Sequence, residues 1–363
     1  VIKTTENNQY PVLTSSKNGI FLQGDYFNKQ VASSDNTGYK IIKRGQFTYR
    51  AMSDTGEFFP NMLDCVDVGI VSPAYPVFKI IDDNLITAEY LKYFFKSDLF
   101  QFSISSFSQG STRTSVKFSK IKTVDITLPD LETQHKIATN LDKVTHTIDL
   151  CNNILEKLDL LVKARFVEMF GDPILNQKGF PVYRMDEVVD FQGGSQPDKK
   201  YFEYEQTEDN IRLIQIRDYK TDKYITYIPK AMAKRFCTAD DIMIGRYGPP
   251  IFQILQGIEG SFNVALMKAT PKMGNKEFIR YFLKQDCLLH YLEGLSQRTA
   301  GQDGIQMDKL KAYPFPMPPT EAQEEFAAFI VQLNKSKSSV KQVLEKAETL
   351  KKALMQEYFG RGE

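Results

Sequence analysis

The stretch 116–171 recurs without a gap as 305–360. Pro129 aligns with Pro318, Glu132 with Glu321, Gln134 with Gln323 and Phe170-Gly171 with Phe359-Gly360, each pair 189 residues apart. A chain that carries one stretch twice is held to folds in which both copies find equivalent surroundings, so internal pseudo-two-fold symmetry is predicted. The period lies far beyond that of solenoid repeats and describes a duplicated domain with its connector. A length of 363 residues fits about two domains, each able to bury a core of its own.

Within the first copy, Ile137, Leu141, Val144, Ile148, Cys151, Leu155, Leu158 and Val162 are spaced alternately by four and three, a heptad seam. The second copy keeps the register as Phe326, Ile330, Leu333, Lys337, Val340, Leu344, Ala347 and Lys351. Two lysines break that seam, and Phe329, Val343 and Leu350 beside it predict a broader packing face. Each helix follows a proline-bearing segment, 128–130 and 314–319, and stops at Phe-Gly, where glycine suits a left-handed cap. About 38 residues at 1.5 Å per residue give a rod of roughly 55 Å.

After the first rod, residues 172–182 (DPILNQKGFPV) form a linker where helical periodicity ceases. Alternating or β-branched runs at 39–42, 47–49 and 77–81, and again at 211–216 and 224–228, predict strands on both sides of it. The predicted fold class is α+β: two mixed α/β heads joined by two long antiparallel coiled-coil helices. The boundaries are 1–128 for the first head, 129–171 for the first helical spacer, 172–182 for the linker, 183–317 for the second head and 318–360 for the second spacer. The duplication continues into the heads, where 89–96 (EYLKYFFK) matches 277–284 (EFIRYFLK) and Ser108-Gln109 matches Ser296-Gln297. By contrast, 17–35 finds no counterpart in 217–235. Parts kept alike are expected to be scaffold, and parts that differ to be what each head recognises. The counterpart of Arg184 falls before residue 1, so the first head is expected to lack an opening strand and loop.

Composition narrows the function by exclusion. With 42% hydrophobic and 25% charged residues the chain reads as globular, and no apolar run approaches the roughly 20 residues of a membrane span; a cytoplasmic location is expected. Cys65, Cys151, Cys237 and Cys287 lack CxxC spacing, which points to reduced thiols rather than a zinc ribbon or a disulfide framework. A net charge of +1 gives no global nucleic-acid signature, so any DNA reading requires a local basic face. Glycine-rich S-adenosylmethionine loops, Asn-Pro-Pro-aromatic, Walker A, Rossmann and nucleophile-elbow patterns are absent. Gly248-Pro249-Pro250-Ile251 lacks the amide or carboxylate of a base-holding motif, and Pro197-Asp198-Lys199-Lys200 lacks the second carboxylate of a nuclease site. His135, His146 and His290 have no metal-ligand spacing. The expectation is a non-catalytic, metal-free and cofactor-free reader.

The segments running from Lys120-Ile121-Lys122 to Pro129-Asp130-Leu131-Glu132-Thr133-Gln134, and from Lys309-Leu310-Lys311 to Pro318-Pro319-Thr320-Glu321-Ala322-Gln323, each stand before a long helix ending in Phe-Gly. In this arrangement the chain resembles the specificity subunit of type I DNA restriction-modification systems. Also similar are Gly69-Ile70-Val71-Ser72-Pro73-Ala74-Tyr75 and the opening of the second head, 187–197. The resemblance covers essentially the whole chain. It implies two target-recognition domains, each gripping one half of a split, asymmetric site in double-stranded DNA, with the helices as a ruler between them. It further implies two methyltransferase subunits docked on the outward helix faces, S-adenosylmethionine in those partners, and ATP and magnesium in restriction subunits where these are present. A rod of roughly 55 Å would span about one and a half turns of duplex at roughly 34 Å per turn.

DNA contact calls for Arg and Lys toward phosphates and guanine, and Asn and Gln toward adenine. In the second head the candidates are Gln192, Ser195 and Gln196 on the glycine-rich loop, Arg217 and Tyr219, Arg246 and Tyr247, and Arg298 with Gln302. In the first they are Tyr49 and Arg50, and Gln109, Ser111, Thr112 and Arg113. Each such residue alone fits a surface ion pair equally well, and Glu132, Gln134, Glu321 and Gln323 fit capping of the helix starts. Two rival readings remain: a protein-interaction scaffold with two ligand-binding heads, and the specificity part of a fused restriction-methylation enzyme.

Overall fold

Two α-helices of 40 residues each, Leu131–Phe170 and Thr320–Phe359, organise the chain. The structure is a computed structural model that describes residues 2–26, 34–107, 114–248, 250–296 and 304–360. At 1.5 Å per residue each helix is about 60 Å long. The chain packs as two compact units, Val1–Ile154 with Val340–Glu363, and Leu155–Ser339. Compactness therefore cuts each long helix in half. Every unit holds one head, the first half of the helix that leaves it and the second half of the other helix.

The seam explains how those halves adhere. All its positions are buried or half-buried on both helices, Lys337 and Lys351 included. The two lysines are accommodated differently, one by an ion pair across the seam and the other with only partial compensation. Lys337 pairs with Asp159 of the first helix, and burial pushes the Lys351 ammonium below its ordinary range while Asp149 opposes that shift. In the second unit Arg165 Nη2 reaches Glu325 Oε1 at 2.6 Å, so residue numbers rise on one helix as they fall on the other and the pairing is antiparallel. Of the residues expected to broaden the face, Phe329 packs into the core, whereas Val343 and Leu350 remain about half exposed.

The Phe-Gly ends anchor each helix on a head. Phe170 lies 4.7 Å, ring centre to ring centre, from Phe278 of helix Lys276–Leu283, and Phe359 lies 5.1 Å from Tyr90 of helix Ala88–Phe94. The two caps differ. Gly171 takes the expected left-handed conformation at φ +75°, but Gly360 is not left-handed; it is required because a Cβ would lie 2.2 Å from the Gln356 carbonyl oxygen.

Two four-stranded sheets shape the second head, and the first head holds related strands in smaller sheets. In the second head the first sheet runs in the order Val189–Gly193, Leu266–Pro271, Ile242–Gly245, Gln253–Gln256. The second runs Tyr227–Pro229, Asn210–Ile214, Gly260–Phe262, Phe236–Cys237, with its middle pair parallel. The first head keeps the same order for the strands it shares. Val77–Phe78, Phe47–Thr48 and Asn61–Met62 form one sheet, while the hairpin of Gly19–Leu22 and Leu13–Ser16 meets Val68–Val71 through a parallel bridge from Val12 to Ile70, with Lys40–Lys43 outermost. In the second head Val182–Arg184 also pairs with Pro314–Pro316. Among the described residues of the first head, neither that strand nor Val189–Gly193 has a counterpart.

The connections are where the heads part. Strands Leu13–Ser16 and Gly19–Leu22 are joined by residues 17–18, whereas their equivalents Asn210–Ile214 and Tyr227–Pro229 are joined by residues 215–226. The next connection is reversed in size, 23–39 in the first head against 230–235 in the second. These exchanged insertions are the physical reason why 17–35 finds no counterpart in 217–235.

Candidate nucleic-acid interface

Four strands of the second head end in one place. Val189–Gly193, Asn210–Ile214, Ile242–Gly245 and Gly260–Phe262 each run out into loops that touch one another. Ser195 N donates to the Phe262 carbonyl at 3.0 Å, Asn263 N to the Ile214 carbonyl at 3.0 Å, and Arg246 Nη1 to the Val264 carbonyl at 3.4 Å. Gly194 approaches so closely that a Cβ would stand 1.9 Å from Asn263 O, which leaves room only for glycine. A Cβ on Gly245 would come 2.9 Å from Ile216 Cδ1, so the 215–226 connection rises beside Arg246. Gln192, Ser195, Gln196, Arg217, Arg246 and Tyr247 are thus gathered from separate stretches of sequence.

Arg217 is exposed on the 215–226 connection, and its Nη2 donates to Thr226 Oγ1 at 3.0 Å. Its guanidinium lies 5.9 Å from the centre of the Tyr224 ring, and the Lys223 ammonium lies 5.4 Å from the same ring. Tyr204, Gln206, Asp222 and Tyr227 complete a cleft of about 500 Å³ around these groups. The connection is braced from below by Asp218, whose buried carboxylate accepts from Gln215 N at 3.2 Å and sits 3.7 Å from Arg212 Nε. Burial raises the Asp218 carboxyl above its ordinary value, and Arg212 opposes the shift.

Tyr219 does not join this surface. Its ring packs against the cluster of Ile214, Met243 and Phe262, its hydroxyl is buried with no hydrogen-bond partner among the described residues, and burial pushes the phenol up. Its place is the core under the connection.

The first head brings the same strand ends together. Leu13–Ser16, Phe47–Thr48 and Val68–Val71 finish around a cleft of about 780 Å³ whose lining includes Ser15, Lys17, Arg50, Ser53, Ser72 and Tyr75. Arg50 is exposed there, 3.9 Å from Asp54. Tyr49, expected beside it on the reading face, is instead fully buried, with its hydroxyl donating to the Val116 carbonyl at 2.9 Å. Phe47, Thr48 and Tyr49 are all buried, and the chain first turns a side chain outward at Arg50. Lys17, Ser72 and Tyr75 were missed by sequence reasoning. The Gly69–Tyr75 stretch carries the signal for Ser72 and Tyr75, as a motif without an assigned role, and Lys17 opens the 17–35 stretch that differs between the heads.

Gln109, Ser111, Thr112, Arg113, Arg298 and Gln302 lie outside the described residues. The residues that follow them are placed alike in the two heads: Thr114–Ser115 pairs with Met52–Ser53, and Gly304 bridges to Tyr247. Both flanks thus reach the rim that carries Arg50 in one head and Arg246 in the other.

Among the described residues, none at these rims is arranged for acid-base or nucleophilic chemistry. Asp198 is engaged as a cap, accepting from Lys200 N at 3.1 Å, and His135, His146 and His290 are all exposed. Among the described residues no group of His, Cys, Asp and Glu could hold a metal ion, and no helix is long and apolar enough to cross a membrane.

This chain belongs to the family described as the type I restriction modification DNA specificity domain, which matches it twice, over residues 3–160 and 177–349. The MjaIX specificity subunit of a type I restriction enzyme of Methanocaldococcus jannaschii is 29% identical over 180 residues, which is 40% of this chain and 41% of that relative. The chain thus matches about two fifths of that relative's length. Among solved structures, the S subunit of a type I restriction-modification system from M. genitalium superposes with a TM-score of 0.57 at 14% identity, covering 99% of this chain and 91% of the other. A chain from a study of complex assembly and conformational transition of the type I R-M system gives 0.52 at 18% identity, covering 98% and 94%. These likenesses show a shared fold.

Proposed function

We propose that this chain is the DNA-reading, non-catalytic subunit of a type I restriction-modification assembly, with each head gripping one half of an asymmetric bipartite site. One observation carries the reading: the strands the two heads share keep the same order and then end in different loops on equivalent rims. A repeated frame with divergent rims suits two dissimilar half-sites. In this reading residues 1–128 and 183–317 supply the target-recognition domains, the long helices set the length of unread DNA between half-sites, and Gln192, Ser195, Gln196, Arg217, Arg246 and Arg50 contact the duplex. The flanking segments with Gln109 to Arg113 and Arg298 to Gln302 join them.

Two methyltransferase subunits would dock on the outer helix faces. Leu150, Ile154 and Leu161 are exposed at helical spacing on the first helix, as are Val343 and Leu350 on the second, an unusual excess of apolar surface for a solvated rod. S-adenosylmethionine would belong to those partners, ATP and magnesium to restriction subunits, and the assembly to the cytoplasm.

Binding to duplex DNA should weaken steeply with salt, with the logarithm of affinity falling by about 0.9 per phosphate contact for each logarithm of salt. Titration of a labelled duplex at several salt concentrations checks this. Salt-independent binding, or none to any duplex in the presence of the methyltransferase, would favour the protein scaffold.

A further inference from the structure

The same hydrogen-bonded joint is built twice, once in each unit. Gln134, fully buried in the first turn of its long helix, accepts from Thr87 N at 2.9 Å and donates to the Leu85 carbonyl at 3.0 Å and the Pro129 carbonyl at 2.9 Å. Gln323, 2% exposed, accepts from Asn275 N at 2.7 Å and donates to the Pro318 carbonyl at 2.7 Å, with Met317 Sδ 3.2 Å away. Thr87 and Asn275 are the residues that cap helices Ala88–Phe94 and Lys276–Leu283. Each glutamine thereby ties the start of a head helix to the start of a long helix.

These glutamines do not cap their own helices. The free amides of the first turns are served otherwise: Asp130 Oδ1 accepts from Thr133 N at 2.7 Å, and the Pro319 carbonyl accepts from Ala322 N at 3.1 Å. The glutamine side chains are left to the joint. Only a side chain that both accepts and donates can satisfy an amide N–H and a carbonyl at once in a buried setting. Phe359 and Phe170 hold the same two head helices at a second point. One attachment leaves a hinge, whereas two fix an angle.

We propose that Gln134 and Gln323 are positioning residues for DNA recognition: they lock the angle at which each head leaves its long helix, and so fix the spacer length the protein accepts. The proposal rests on the bipartite reading above. Adding one base pair to a spacer moves a half-site by roughly 3.4 Å along the duplex and turns it by roughly 35°, since a turn of 10–10.5 base pairs takes about 34–36 Å. A locked joint rejects that displacement, and a loosened joint follows it.

The test uses the full chain with its methyltransferase partner on duplexes carrying the preferred spacer and spacers one base pair longer or shorter. Gln134→Ala with Gln323→Ala should reduce the preference for the native spacer by about tenfold, a change readily resolved in relative affinities. Leu333→Ala, a buried seam change away from either joint, serves as the stability control and should keep the preference. The pair Gln134→Glu with Gln323→Glu retains the acceptor and loses the donation, so it should lie between, and it decides the matter if the alanine pair does not fold. Spacer preference unchanged in the glutamine variants, or lost equally in Leu333→Ala, would overturn the proposal. A wild-type chain that selects no split site would instead overturn the bipartite reading itself.

Discussion

Replacing Phe166 with alanine should lower the stability of the 155–339 unit by about 3–5 kcal/mol, the usual loss for a large aromatic in a closed core. The ring is 1% exposed. It stacks on Phe278 with 4° between the planes, meets Phe170 at 5.0 Å and Phe326 at 5.6 Å, and so joins both long helices to the head helix. No neighbour is free to collapse into the space, because each ring is already held by another. Native-state hydrogen exchange resolves the effect by unit. Protection should fall throughout 155–339 and remain in Val1–Ile154, whose core is built on Phe359, Tyr90 and Phe94. A loss below about 1 kcal/mol, as expected of an ordinary substitution, would show that the ring is not the keystone of that unit.

Arg217→Ala should remove discrimination at one half-site only, by about 1–3 kcal/mol at the base pair it reads, the range for a paired base contact. The first head has only residues 17–18 at the equivalent place, so it holds no duplicate of this arginine to compensate. Base substitutions in the other half-site should cost the variant what they cost the wild type. Competition binding with single-base variants of both half-sites measures this. Equal loss in both halves would mean that Arg217 serves phosphate attraction or folding rather than reading.

Much of the frame was legible before any coordinates. The 189-residue repeat and its heptads predict two long helices, and these run from Leu131 and Thr320 to the phenylalanines of Phe-Gly. What stayed hidden depended on partners distant in sequence. Lys337 and Lys351 look like flaws in a seam until Asp159 and Asp149 are seen across it. Gln134 and Gln323 look like capping residues until Thr87 and Asn275 are seen beside them. Tyr49 and Arg50 are adjacent and chemically suited to DNA, yet Tyr49 is buried, held by the Val116 carbonyl far along the chain. The repeat also conceals how much the heads share, since exchanged insertions at 215–226 and 23–39 shift the alignment while the strand order is kept.

In the proposed reading, one repeated frame presents two different reading surfaces. Selection of duplexes from a randomised pool by this chain with its methyltransferase partner tests it most directly. Two short, unequal blocks of determined sequence, separated by an unread spacer of fixed length, should be enriched. A single continuous block, a palindrome, or two blocks with no fixed separation would contradict it.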